Sequence, residues 1–243
     1  MADEHAILPF GLELQDAMLN YATSQPLTQG SMEGFEYYIF VAIPGIVPEY
    51  SLSGSSGMEI KGDKGVSVRK KGNTFRIVCD SGEPNEFRIN GTDEKQIRIL
   101  TIPRNIAIMS YLVDIEGSRH MIISNALILE DKSEIEILSS DGARVQVAIY
   151  PAMEKAPSVD HGRITMIDPA NQVFSSFVVD LPEFSTGVEL NWIQSNKFSV
   201  RLPGSKPKYV SDMVLRLDYF GDTGMGFMNG SLVADHFFNR YRC

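Results

Sequence analysis

Acidic side chains are the first candidates for chemistry, because glycosidases can hydrolyse their substrates with two carboxylates. No spacing in the sequence pairs two of them. Glu134 and Glu136 alternate with Ile135 and Ile137, which places both acids on one strand face, the one expected to meet solvent. We therefore predict no catalytic residue here and interpret the acids as solvated surface. The candidates considered were Glu116, Glu134, Glu136, Asp168, Asp218, Asp222 and Asp235.

Histidine and cysteine give no sign of a metal or cofactor site. The four histidines have no metal-ligand spacing, and the sequence has neither a His-Glu-x-x-His pattern, nor a Gly-rich phosphate loop, nor a Gly-x-Ser-x-Gly elbow. Cys79 follows Ile77 and Val78, so we expect it to be a small buried hydrophobe. A disulfide between Cys79 and Cys243 is left open, although their spacing does not resemble a disulfide framework.

Three aromatic residues are candidates for contact with carbohydrate, because aromatic rings often form platforms for sugar rings: Trp192, Tyr209 and Tyr241. Trp192 is the single tryptophan and lies between apolar neighbours, Leu190 and Ile193. Burial in a core is the favoured interpretation for it.

The bulk composition excludes some partners. The chain has 243 residues, with 31 acidic and 22 basic side chains and a net charge of −9, which argues against binding to nucleic acid. The apolar runs, such as 37–44, are far shorter than a membrane span, so we expect no membrane insertion. The acidic start, residues 1–5, does not resemble a signal peptide, and the compartment stays undecided.

The pattern of the chain is that of an all-β protein. Apolar and polar residues alternate with period two in short segments at intervals of about 8 to 12 residues. Turn residues separate them: Lys71-Gly72-Asn73 and Asn229-Gly230 predict hairpins, and Asn90-Gly91 predicts a turn. Only 15–21 and 103–110 suggest helix, and neither beyond a single turn.

Two β-sandwich units are predicted. Pro151, Pro157, Ser158 and Asp160 interrupt the strand pattern, which resumes after them. We place a boundary there, giving units of 1–155 and 156–243.

Two C-terminal segments resemble the C-terminal β-sandwich of bacterial β-galactosidases of glycoside hydrolase family 35. Residues 209–222 (YVSDMVLRLDYFGD) match a strand of the type LRIDYxGD, and 229–239 (NGSLVADHFFN) match a hairpin of the type NGxLVADxFxNG. Residues 19–27 and 37–50 are similar to the β region that follows the catalytic barrel in that family. Residues 120–126 are similar to another strand of this region.

The resemblance implies jelly-roll-like sandwiches without the catalytic part. The two catalytic glutamates of the family lie on a (β/α)₈ barrel, and the βα alternation of such a barrel is missing from this sequence. No catalytic residue is therefore carried over. Family members usually continue past this hairpin with a Pro-Trp-containing strand, whereas this sequence ends at 239–243. We expect an excised fragment or a stand-alone derivative, from a family that is often secreted or periplasmic.

Three functions are consistent with these observations. The first is a non-catalytic accessory region of a β-galactosidase-like hydrolase, giving structural support or carbohydrate contact. The second is an independent carbohydrate-binding module or lectin, and the third is a glycosidase in its own right. The expected partners are a carbohydrate, a catalytic barrel domain or a second copy of the chain, with no cofactor.

Overall fold

The structure is a computed structural model, and it describes residues 6–15, 17–91, 95–131, 134–139, 142–168, 173–183, 187–202, 205, 207–210 and 223–237. The predicted all-β class is confirmed, since strands dominate the described residues and the helix among them is a single turn. The contacts between residues divide the chain into two compact units, 1–183 and 184–243.

The strands of the first unit, in chain order, are β1 (Phe10–Leu14), β2 (Ala17–Ala22), β3 (Gln25–Met32), β4 (Phe35–Val41), β5 (Glu49–Gly54), β6 (Glu59–Gly62), β7 (Val66–Lys71), β8 (Thr74–Cys79), β9 (Asn85–Asn90), β10 (Gln96–Ile102), β11 (Ser110–Ile115), β12 (Ser118–Ser124), β13 (Leu127–Asp131), β14 (Glu134–Leu138), β15 (Arg144–Tyr150), β16 (Arg163–Asp168) and β17 (Ser175–Asp180). One helical turn, α1 (Arg104–Ala107), lies between β10 and β11. The second unit has β18 (Glu189–Gln194), β19 (Lys197–Arg201), β20 (Thr223–Met228) and β21 (Ser231–Phe237).

Residues 10–102 form a sandwich of two five-stranded sheets. The first sheet has the order β1-β2-β5-β8-β7 and the second β3-β4-β10-β9-β6. All pairings are antiparallel except that of β4 with β10, which is parallel. Tyr50 and Leu52 of the first sheet pack against Phe40 and Phe87 of the second, with ring centroids of Tyr50 and Phe40 5.3 Å apart. Each such buried side chain stabilises the fold by about 1.5–3 kcal/mol.

A third sheet covers part of the outer face of the second sheet. It has the order β11-β12-β15-β17-β16, and one of its faces packs with the hairpin β13–β14 around Val145 and Phe177. The opposite face supplies Met121 and Tyr150 to a core shared with Tyr37 and Leu100 of the second sheet. The second sheet is therefore buried on both faces where the third sheet covers it.

The structure divides the chain later than the sequence pattern indicated. The expected boundary, between 155 and 156, falls between β15 and β16, and both of these strands pair with β17. The Pro-containing segment 151–160 is thus a connection within the third sheet. The division lies instead between Glu183 and Phe184.

Local predictions can be compared with the strands. The suggested helical turn at 103–110 is confirmed by α1, which begins after Pro103. The suggestion of helix at 15–21 is wrong: β2 occupies 17–22, because Ala17 and Leu19 alternate with less buried neighbours and face the sandwich core. No helix among the described residues is long and apolar enough to cross a membrane.

Both predicted hairpins are confirmed. Lys71 pairs with Thr74 across the β7–β8 turn, where Gly72 has a φ of +60°. Asn229 and Gly230 join β20 to β21 with φ values of +50° and +85°, the positive pair that a type I′ turn requires. In the second unit the described strands form two hairpins, β18–β19 and β20–β21. Whether they belong to a jelly roll stays a prediction.

Candidate functional site

A polar cavity lies on the outer face of the second sheet. Its volume is about 520 Å³, and it is widely open to solvent. It lies at the end of the sheet where the parallel strands β4 and β10 begin and where β9 ends. The side chains that line it are Glu33, Phe35, Asn90, Lys95, Gln96 and Arg98.

Hydrogen bonds join three of these side chains in a row. Arg98 Nε donates to Gln96 Oε1 at 2.9 Å, and Gln96 Nε2 donates to Asn90 Oδ1 at 2.9 Å. Gln96 and Arg98 are two residues apart on β10, so the strand directs both to the same face. The guanidinium of Arg98 also lies over the ring of Phe35, with Cζ 3.7 Å from the ring centroid. Arg98 is therefore held both by a hydrogen bond and by a cation–π contact.

Three basic residues face each other across this sheet. Arg98 on β10 is opposite Arg88 on β9, and Arg88 is opposite Lys61 on β6. Like charges in such positions repel. Arg88 has acidic partners, because its Nε lies 2.8 Å from Glu86 Oε1 and its Nη2 lies 3.5 Å from Asp63 Oδ2. Partial burial opposes the charge of Arg88, but these acids raise its pKa above the ordinary value.

Glu86 is a fully buried carboxylate beside the cavity residues. It accepts hydrogen bonds from Arg88 Nε and, at 3.0 Å, from the hydroxyl of Tyr150 on β15. Burial and the charge of Glu86 raise the pKa of Tyr150 well above its ordinary range. Glu86 thus links the second sheet to the third through a buried polar contact, which is a structural role.

A second, smaller cavity is mostly apolar. Its volume is about 160 Å³, and Leu12, Pro26, Leu27 and Tyr38 contribute to its lining. Among the described residues that line these two cavities, Glu33 is the one acid, so these residues offer no pair of carboxylates.

The aromatic residues selected from the sequence lie in the second unit. Trp192 was expected in a core, and this expectation is wrong: it is 61% exposed, because it lies on a two-stranded hairpin where its ring packs against Phe198 with centroids 5.2 Å apart. Tyr209 is 42% exposed. Tyr241 lies outside the described residues. An exposed indole next to a second ring is suited to stacking on a sugar.

The acids and cysteines are placed as follows. Glu134 and Glu136 are exposed on β14, which confirms the predicted solvent-facing side. Asp218 and Asp222 lie outside the described residues, as does Cys243. Cys79 is buried with a free thiol, and burial raises its pKa to about 11. Within the described part of the chain, no three His, Cys, Asp or Glu side chains are grouped to hold a metal ion.

Sequence reasoning missed the cavity. Asn90 was assigned to a turn, whereas it ends β9 and its side chain accepts a hydrogen bond from Gln96. The available signal was the Lys95-Gln96-x-Arg98 segment, in which two long polar side chains share one face of a strand.

No protein-family model matches the chain. No curated protein sequence matches it either.

Proposed function

We propose that this chain is a non-catalytic accessory β-sandwich region of a β-galactosidase-like glycoside hydrolase, providing structural support and contact with carbohydrate. The resemblance of 209–222 and 229–239 to family 35 supports this proposal, although 211–222 and 238–239 lie outside the described residues. The all-β architecture also supports it, because the resemblance implies sandwiches without a barrel.

The observation that carries the proposal is the chemistry of the polar cavity. Its lining offers cations, amide groups and a ring, which are suited to holding sugar hydroxyls and charged groups. Hydrolysis by the usual mechanism requires two carboxylates about 5–10 Å apart on either side of the scissile bond. Among the described residues that line this cavity, Glu33 is the one acid, and it is exposed. These lining residues therefore favour binding of a carbohydrate over hydrolysis of a glycosidic bond.

Exposed apolar side chains support a partner domain. Ile46, Val47, Ile108, Leu127 and Leu129 of the first unit are large apolar residues left open to solvent. Side chains of this kind are suited to burial against a neighbouring domain.

Two measurements on the purified chain test the proposal. The first is turnover of aryl β-galactosides and galacto-oligosaccharides, which we expect to equal that of a matched blank. The second is association with a family 35 catalytic barrel from the same genome, produced separately. We expect co-elution in size-exclusion chromatography and a raised melting temperature of the barrel. The proposal would be overturned by turnover above the blank. It would also be overturned if the barrel neither co-elutes with the chain nor melts at a higher temperature in its presence.

An independent carbohydrate-binding module is the second candidate, and the exposure of Trp192 favours it. In this case, saturable binding to a glycan should be lost in Trp192→Ala with folding retained. A Phe198→Leu variant is a useful comparison, because it removes the neighbouring ring and keeps the indole. Binding that survives Trp192→Ala would exclude this hairpin as the site.

A further inference from the structure

We propose that the polar cavity binds the carboxylate of a uronic-acid residue in an acidic glycan, with Arg98 as the principal contact and Lys95 as a second cation. The inference rests on the proposed role in carbohydrate contact and names the class of sugar. It concerns the first unit alone, where all the lining residues lie.

The first argument is the preorganisation of Arg98. Its Nε is bonded to Gln96 Oε1, and Gln96 is itself bonded to Asn90. The four N–H groups on the two Nη atoms are not used by that bond, and a planar guanidinium fork matches the two oxygens of a carboxylate. Because the guanidinium is already fixed against Phe35, less conformational entropy is lost when an anion binds.

The second argument is the position of the aromatic ring. A neutral sugar is commonly recognised by stacking on an open aromatic face, and Phe35 is the one aromatic residue among the described lining residues. Arg98 covers one face of Phe35, and the ring also packs against the shared core that includes Tyr37. The cavity therefore presents a guanidinium where a site for neutral sugars would present a ring.

The third argument is the local charge. Of the described lining residues, Lys95 and Arg98 are basic and Glu33 is acidic, and Arg88 and Lys61 continue the basic row across the sheet. Arg88 is paired with Glu86 and Asp63, so among the described residues the attraction for an anion rests on Lys95 and Arg98. Glu33 is suited to accepting hydrogen bonds from sugar hydroxyls. Asp93 and Glu94 precede Lys95 in the sequence and lie outside the described residues.

The test is calorimetric titration of the full chain with oligogalacturonides, with neutral galacto-oligosaccharides and sulfated galactan fragments in parallel. We expect saturable binding to the oligogalacturonide that weakens with added salt. Arg98→Gln should reduce the affinity at least tenfold, since a charge-assisted pair of hydrogen bonds is lost. Arg69→Gln is the matched control, because Arg69 is exposed on β7 of the other sheet and the charge change is the same. It should bind like the unsubstituted chain.

Lys95→Gln keeps the test valid if Arg98→Gln fails to fold. Lys95 is exposed, so its removal should leave the melting temperature unchanged and weaken binding a few-fold. Equal affinities of the Lys95, Arg98 and Arg69 variants would overturn the proposal, as would stronger binding to the neutral or sulfated fragments or no binding to the uronate. Barrel association is read separately, so a failed titration with intact co-elution removes this inference and leaves the proposed function standing. If the uronate binds in an Arg98-dependent way but the barrel does not co-elute, the proposed role beside a catalytic barrel is removed and the uronate site stands.

Discussion

The buried contact between Tyr150 and Glu86 makes a quantitative prediction about stability. Tyr150→Phe removes one hydroxyl that lies 3.0 Å from Glu86 Oε2, and the carboxylate keeps its partner Arg88. A hydrogen bond to a charged group is worth about 1.5–3 kcal/mol. We therefore expect the free energy of unfolding of the first unit to fall by about 2 kcal/mol. For a unit of 183 residues this corresponds to a melting temperature lower by roughly 4–8 °C.

The single tryptophan makes the assay specific to one unit. Trp192 lies in the second unit, so indole fluorescence reports the unfolding of that unit, while far-UV circular dichroism is dominated by the many strands of the first. Tyr150→Phe should shift the dichroism transition in a urea titration. The matched control is Tyr38→Phe. Its deleted hydroxyl lies 3.4 Å from Glu36 Oε2 and is only partly buried, so its loss is expected to matter little. If both variants lose the same stability, the buried contact does not have the value assigned to it.

Two further predictions follow from burial and a third from a backbone conformation. Phe177→Ala should lower the free energy of unfolding by about 3–5 kcal/mol, measured in urea, because Phe177 is fully buried in the core of the third sheet. Burial lowers the pKa of His120, so the folded state disfavours its protonated form. Neutral His120 therefore contributes its full share to the free energy of unfolding above the unfolded pKa of about 6.5, and this contribution is lost as the pH falls from there through the lower folded pKa. Between about pH 7 and pH 5, the free energy of unfolding should therefore fall less in His120→Asn than in the unsubstituted chain, as measured in urea titrations. The charged neighbours Asp114, Glu116 and Arg119 are present in both proteins, so the difference reports His120 itself. Gly230→Ala should destabilise the β20–β21 hairpin by about 1 kcal/mol, seen as faster amide exchange there, because φ is +85°.

The sequence predicted local structure better than the assembly of sheets. Period-two alternation and turn residues predicted the all-β class and both hairpins, because these signals depend on neighbours within a few residues. They failed near the start of the chain, where helix was suggested in place of β2. The boundary was placed too early, since prolines at 151–160 interrupt a strand pattern whether the chain is leaving a domain or crossing within a sheet. Pairing of β15 with β17 is a long-range contact with no local signal.

The same limit explains what was missed at the site. In β9, Phe87 and Ile89 face the sandwich core, so alternation assigns Glu86 and Arg88 to the outer face, where charged residues are expected to be solvated. The third sheet then covers that face over Glu86, which no pattern within β9 could indicate. Trp192 shows the opposite error. Its apolar neighbours suggested a core, but the hairpin leaves it exposed.

One face of the second sheet therefore has two roles that mutations should separate. Where the third sheet covers it, Glu86 and Tyr150 are buried, and a lost hydrogen bond appears as lost stability because water cannot replace the partner. Where the face is open, Arg98 lines a cavity and Lys95 is exposed, so the loss of a charge appears as lost affinity for an anion. Arg88 lies between the two regions, opposite Arg98 and bonded to Glu86. A substitution at Arg88 should affect both measurements, because it leaves a buried carboxylate without its cation and shortens the basic row beside the cavity.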